Sequence, residues 1–229
     1  RKFFSYLKES KGYSDKSILC YEKAIWLWQE FNKEADFANF NQTSAKHFKE
    51  WLKNKNKTNS KENVSLSYCY DMLRHLRLFF GWLAKQPSYK SRINSTDIDY
   101  LSLPKKEVRI AIQQAKKEYP SLEEVKKVIE SIGSKNEVDK RDRALISLML
   151  LTGIRINAIS SLPMRSFDKK SNSLDQDPEL GVKTKNSKRI TSALIPFVYK
   201  KSLEYFLEWF DYLSNEKKFK PDDPIFPAT

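Results

Sequence analysis

Between Ala144 and Gly153 the chain reads ALISLMLLTG, a run whose only polar side chains are the hydroxyls of Ser147 and Thr152. Such a stretch is expected to form a helix buried on most sides, and Gly153 is the residue type that ends helices. Arg155 follows at once, so it is expected to emerge from a domain interior. A charge in that position needs a partner, because a buried and unpaired guanidinium costs several kcal/mol.

A chain of 229 residues with 40% hydrophobic content has room for a real core, as one large domain or two small ones. Five Trp, eleven Tyr and fourteen Phe against five Gly favour packed helices over a loop-rich or all-β fold. The net charge of +13 points to a polyanionic partner, although a solvated lysine-rich surface has the same composition. Its distribution is uneven: residues 1–118 hold 23 Lys and Arg against 13 Asp and Glu, and residues 119–229 hold 19 against 16. The N-terminal half is therefore the stronger candidate for gripping nucleic acid. Cys20 and Cys69 have apolar helical neighbours and no CxxC or Cys/His spacing, so both read as reduced, buried thiols of a cytosolic protein. No apolar run reaches the ~18 residues that span a bilayer, and no signal peptide is visible. The chain opens on Arg1 and stops at Thr229, as expected of a fragment trimmed at both ends.

Phe3, Phe4 and Leu7 suggest a short first helix ending near Gly12. Ser14 stands where an N-cap belongs, ahead of a helix whose apolar face is Ile18, Tyr21, Ile25 and Trp28. Thr43 is the expected cap of a third helix carrying Phe48, Trp51 and Leu52. KNKNKTNSKEN, residues 53–63, reads as a loop whose lysines are available to phosphates. A fourth helix, from about Ser65 to Ala84, has Leu66, Cys69, Leu73, Leu76, Phe80 and Leu83 on its core face. Turned by about 100° around the axis run Ser67, Tyr70, Arg74, Arg77 and Gly81. That second stripe suits a helix laid in a DNA groove, and equally an ordinary solvated face.

Residues 104–118, with Pro104 and the pair Lys105 and Lys106, read as a linker between a domain over 1–103 and another over 119–229. At Ser121 a capping box with Glu124 opens a helix; Val125, Val128, Ile129 and Ile132 are expected to face inward and Gly133 to end it. Beyond Asp168 the chain is turn-rich. Two strand-like runs, 180–183 and 188–195, flank residues 184–187 as a hairpin with a basic tip. A final helix is expected from Phe197 to Leu213, with Leu203, Phe206, Leu207, Phe210 and Leu213 on one face. His47 and His75 read as helical surface or core residues.

Ala144, Leu145, Leu148, Thr152, Gly153, Arg155 and Leu162 together make a string that resembles the first arginine box of the tyrosine recombinases, the phage integrases and Xer-type enzymes. Val182 to Pro196, VKTKNSKRITSALIP, is similar to that family's lysine-bearing β-hairpin, and PIFPAT to the segment before its next box. KGYS at Lys11 and LRLFFGWL at Leu76 resemble parts of its helical core-binding domain. The resemblance implies a mainly α fold, with a SAM-like core-binding domain and an α+β catalytic domain bearing a small sheet, truncated here.

It also implies chemistry without metal or cofactor. A tyrosine hydroxyl attacks a DNA phosphodiester to form a 3′-phosphotyrosyl link, arginines neutralise the non-bridging oxygens, and a lysine protonates the leaving 5′-oxygen. Arg155 matches the first arginine. Lys183 matches the lysine, with Lys185 as the alternative one register away. Lys16, Arg74, Arg77, Lys105, Lys106, Lys185 and Lys188 are the expected DNA contacts. One departure stands out: Ala158 occupies the place of an acidic residue that usually helps to hold the arginine, whereas Asp168 matches the acid that closes the box. No His-x-x-Arg box or later tyrosine follows within residues 1–229, so the given chain is expected to bind DNA and not to cut it. The implied partner is a double-stranded attachment or recombination site, bound by a homotetramer in the bacterial cytoplasm, at the nucleoid, with no membrane. The competing readings are a non-catalytic DNA-binding protein on the same scaffold and a helical protein-interaction module of incidental basicity.

Overall fold

The computed structural model describes residues 1–113, 118–196 and 199–227. The chain divides into two compact units, Arg1–Lys117 and Glu118–Thr229.

The first unit is helical because its caps and apolar stripes coincide. Helix α1 (Lys2–Ser5) runs on as a π turn over Tyr6–Ser10, and Gly12 at φ +65° breaks the direction. The Ser14 hydroxyl accepts the Ser17 N–H and starts α2 (Asp15–Phe31). Asn41, not Thr43, caps α3 (Gln42–Lys53): its Oδ1 accepts the Ser44 N–H at 2.9 Å, and the Ser44 hydroxyl accepts the Asn41 N–H at 3.0 Å. The expected cap is thus displaced by a box in which serine takes the usual glutamate's part. Ser65 caps α4 (Leu66–Leu83). Between α2, α3 and α4 the core is aromatic. Trp28 meets Phe80 edge-on at 5.0 Å, and Phe40 stacks on Phe80 at 4.0 Å. Phe48 lies 5.1 Å from Trp28. Such offset and edge-on contacts add to the burial itself. Cys69 is buried as expected, and burial pushes its thiol up, but Cys20 is exposed on the outer face of α2.

Short α5 (Ser95–Ile98) and α6 (Lys105–Ile112) follow. The expected linker is therefore helical over its first half. Pro104 does not break the chain there; it sits at the N-cap of α6, where its missing N–H and fixed φ are tolerated. Ala111 joins the same core as Leu101 and Leu103, and Lys53 on α3 reaches Glu107 at 3.0 Å, so α6 belongs to the first unit. Residues 114–117 of the expected linker lie outside the described residues.

In the second unit the Ser121–Glu124 box forms, with the Glu124 carboxylate accepting the Ser121 N–H at 2.7 Å, and opens α7 (Leu122–Ser131). Ile129 is fully buried, whereas Val128, expected inside, is 49% exposed. One step is about 100° of helix, and the covered stripe of α7 is too narrow to take both. Gly133, expected to end the helix, has no left-handed φ, and Ile132 is the C-cap.

Helix α8 (Glu137–Thr152) carries the apolar run, packs along α10 (Lys200–Asp211) and stops at Gly153, φ +62°. Only Ala144, Ser147 and Leu148 of α8 are fully buried, so the helix is half covered and not enclosed on most sides. A four-residue helix, α9 (Ile156–Ile159), comes next.

The sheet differs most from expectation. It is antiparallel in the order β1 (Phe167–Asp168), β2 (Ser173–Gln176), β3 (Ile190–Ala193). Leu174 pairs with Phe167 on one side and with Ser192 on the other. The strand partner of β3 is thus the stretch taken for turn. Its alternation is real, with Leu174 and Gln176 buried and Ser173 and Asp175 half-buried. Residues 180–183 form no strand: Asp177 caps a turn through Pro178, and Gly181 at φ +84° reverses the chain.

Phe197 and Val198, the expected start of the last helix, lie outside the described residues, as do Ala228 and Thr229. Ser202, Phe206 and Trp209 are the buried side chains of α10, and Leu213 is buried on the π turn Tyr212–Glu216 that follows. The segment after it returns to the arginine box: Met164 N–H donates to Asp223 O at 2.8 Å, Arg165 N–H to Pro221 O at 2.9 Å and Ile225 N–H to Leu162 O at 2.9 Å. Trp209 Nε1–H donates to Ile225 O at 2.8 Å.

Candidate nucleic-acid interface and reaction site

The turn after α8 is fixed before Arg155 is reached. Thr152 Oγ1–H donates to Leu148 O at 2.7 Å and accepts the Ile154 N–H at 3.3 Å, while Gly153 takes the left-handed conformation. Ile154 drops into the core, and Arg155 takes the extended conformation as N-cap of α9. Its side chain is exposed, so the expectation of an arginine leaving a buried environment does not hold. Of the five arginines in this unit, Arg143 pairs with Glu208, Arg165 with Asp222, Arg189 with Asp175 and Asp177, and Arg141 with Asp142. Arg155 has neither ion pair nor hydrogen bond through its guanidinium among those residues. Ala158, in the place of the usual acid, is 1% exposed and packed in the core. Asp168 faces away into its own turn, accepting from Lys170 N–H and the Ser171 hydroxyl, and these bonds hold its carboxyl below the usual range.

Lys183 follows buried Val182 in the loop between β2 and β3. Its N–H donates to the Ser161 hydroxyl at 2.8 Å. Ser161 lies just beyond α9 and points its own proton at the Asn157 and Ala158 carbonyls, 2.9 and 3.0 Å away. The backbone of Lys183 is thereby tied to the helix that starts at Arg155. The ammonium groups of Lys183, Lys185 and Lys188 are exposed and carry no ion pair among the described residues. At the loop tip Asn186 (φ +59°) and Ser187 (φ +49°) both hold a left-handed backbone that costs of order 1 kcal/mol each. Arg189 closes the loop on Asp175, whose carboxyl it holds below the usual range.

In the first unit Arg74 and Arg77 are exposed on α4 as the second stripe required. Neither is unpaired: Arg74 lies 3.7 Å from Asp71, and Arg77 contacts Asp99 just beyond α5. The Asp71 pairing was visible at i, i+3 spacing, whereas nothing in the sequence marks Asp99 as a partner. Both arginines line a groove of about 1070 Å³ with Tyr6, Trp82, Lys85 and Lys90. Lys16, Lys105 and Lys106 are exposed. The lysines of residues 53–63 are mostly engaged: Lys53 pairs with Glu107, Lys55 with Glu30 and Lys57 with Glu62. Under the stripe His75 is buried 4.3 Å from the Tyr21 ring, and its Nδ1 has no partner among the described residues. Burial first, and Arg74 second, hold it below the ordinary histidine range. His47 is exposed. Among the described residues no cluster of three or more His, Cys, Asp or Glu is placed to hold a metal, and no helix is long and apolar enough to cross a membrane.

Residues 1–87 match the phage integrase N-terminal SAM-like domain family. Over 170 residues the chain is 25% identical to proteins named tyrosine recombinase XerC from Lactobacillus delbrueckii subsp. bulgaricus and Lactobacillus leichmannii, covering 72% of this chain and 52% of each relative. The chain spans about half the length of the curated relatives it matches. With a match to the integrase SAM-like domain over its start and a XerC likeness over most of its length, the chain is similar to the tyrosine recombinases.

Proposed function

We propose that the protein is a site-specific DNA recombinase that cleaves and rejoins double-stranded DNA through a 3′-phosphotyrosyl intermediate. The first unit, Arg1–Lys117, grips the duplex as the core-binding domain. The second, from 119 onward, supplies part of the catalytic site. The observation that carries this reading is the exposed guanidinium of Arg155, unpartnered among the described residues while the other arginines of its unit are engaged, on a turn whose helix is tied to Lys183. A planar fork left open at a rigid turn suits the two non-bridging oxygens of one phosphate.

Arg155 then stabilises the charge that develops on those oxygens, and Lys183 gives its proton to the leaving 5′-oxygen, with Lys185 the alternative donor. Lys16, Arg74, Arg77, Lys105, Lys106, Lys185 and Lys188 contact phosphates. The nucleophile is assigned to no tyrosine of residues 1–229. The assembly is a homotetramer on two attachment sites, working at the bacterial nucleoid.

The test is to incubate the full-length protein with a nicked attachment-site duplex and run a denaturing gel. A covalent protein–DNA band is expected. Specific duplex binding with no such band makes it a non-catalytic DNA-binding protein, and binding no tighter than the non-specific level of about 10⁻⁴ to 10⁻⁶ M removes the DNA reading altogether.

A further inference from the structure

We infer that Ser161 is a positioning residue for the proton-transfer step: its hydroxyl sets where Lys183 stands relative to the helix that begins at Arg155. The inference rests on the proposed roles of those two residues.

The physical need arises from α9, a single turn of four residues. A helix that short has no cooperative stability of its own, so the direction in which Arg155 leaves it depends on ties at its far end. Ser161 supplies them with one atom. Oγ–H donates to the carbonyl of Asn157 or Ala158, at 2.9 and 3.0 Å, which a longer helix would satisfy internally. The same oxygen accepts the Lys183 N–H at 2.8 Å. The hydroxyl's donor and an acceptor site are both in use, so it cannot turn to serve one neighbour without releasing the other.

The other anchors of the loop lie on either side of that bond. Val182 is 3% exposed in the core ahead of Lys183, and Arg189 holds Asp175 beyond the tip. From 184 to 188 no ion pair among the described residues fixes the chain. The backbone at Lys183 is therefore the last point held against the arginine turn before the loop runs free to its tip. Ala158 removes the acid that would brace Arg155 through its side chain and puts a buried methyl in its place. Bracing then falls to the backbone of α9, which the Ser160 hydroxyl grips at Asn157 O, 3.2 Å away, and which the Ser161 hydroxyl grips while also holding Lys183.

In the reaction the tyrosine hydroxyl gives its proton to water, its oxygen bonds to phosphorus, and the bond from phosphorus to the 5′-oxygen breaks. The electron pair of that bond leaves on the 5′-oxygen, which takes a proton from the Lys183 ammonium and leaves a neutral amine. If Ser161 acts only through this proton transfer, its loss should matter when the leaving group needs a proton and not when it needs none. A 5′-bridging phosphorothiolate is such a substrate, because the thiolate departs unprotonated.

The experiment uses the full-length protein and paired phosphate and phosphorothiolate substrates with Ser161→Ala and Lys183→Ala. Ser161→Ala should cleave the phosphate about tenfold more slowly, with duplex affinity unchanged, and should match the parent on the thiolate substrate. Should Ser161→Ala fail to fold, Ser161→Cys, close in volume but a poor acceptor, should give the same pattern. An unslowed phosphate reaction, or a deficit that persists on the thiolate while that of Lys183→Ala disappears, overturns the role of Ser161 and leaves Lys183 in place. A Lys183→Ala deficit that persists on the thiolate overturns the reading of Lys183, and the inference falls with it.

Discussion

The first unit carries most of the surplus charge and spends much of it on its own acids, whereas the second is nearly neutral and leaves an arginine open. Residues 1–117 hold 23 basic side chains against 12 acidic ones, and residues 118–229 hold 19 against 17. Yet Lys8, Lys53, Lys55, Lys57, Arg74 and Arg77 all stand within ion-pair distance of carboxylates of the first unit. In the second, four arginines are paired and Arg155, among the described residues, is not. Surplus charge and readiness to bind one particular phosphate are separate properties. The first arises from composition and acts over a Debye length of roughly 10 Å in ordinary salt. The second is made by a backbone turn and by the absence of a neighbour.

The sharpest way to break this comparison is Arg155→Ala in the full-length protein. Cleavage should fall about a hundred- to a thousandfold, the range for removing one preorganised donor, while the Kd for the duplex changes little. An equal loss in cleavage and binding would make Arg155 an ordinary phosphate contact. Next in size, Arg74→Ala with Arg77→Ala should weaken binding at every salt concentration. It should also flatten the slope of log K against log salt by about two, one per phosphate contact; an unchanged slope would take α4 off the DNA.

Acid should separate the units in a third way, since both histidines lie in the first. His75 is held below its ordinary value, so the unfolded chain takes up the proton first and stability falls as the pH drops through the ordinary histidine range near 6.5. The slope from one group cannot exceed about 1.4 kcal/mol per pH unit. Thermal melts from pH 7.5 to 5.5 should show it in the parent and lose it in His75→Phe. The smallest effect is expected of Asp99→Asn. Freeing Arg77 from an exposed partner is worth at most about 1 kcal/mol, so duplex affinity should rise no more than about fivefold. A fall in affinity would mean that Asp99 aims Arg77 at the DNA instead of competing with it.

What the sequence made legible follows the range of the forces involved. Ser14, Ser65, Ser121 and Gly153 mark helix ends by bonds within a few residues, and each does so in the structure. The inward face of α4 was equally plain, because every second turn repeats it. Strand β2 was not: Leu174 is its one apolar side chain, and its partner Ser192 is supplied from beyond a long loop. Trp209 escaped notice because its indole finds its acceptor in Ile225, past the end of its helix. The exposure of Arg155 was misjudged for a related reason, since an apolar helix can be half covered without any sign of it in the run itself. The tie between Ser161 and Lys183 joins two unremarkable residues across the fold, and only the coordinates could bring them together.

The returning segment at 221–226 has a use of its own. Lys217 and Lys218 are exposed just ahead of it, and Lys218 holds a left-handed backbone. A trypsin nick there would leave the segment attached by the bonds to Leu162, Met164, Arg165 and Trp209 and by buried Ile225 and Phe226, with no covalent link from the preceding helix. The chain from 219 onward would then be held to the rest of its unit by contacts alone, with an off-rate. Since three of those bonds end on the arginine box, whatever tightens the turn at Arg155 should slow its release, and the nicked protein becomes a clock for the site.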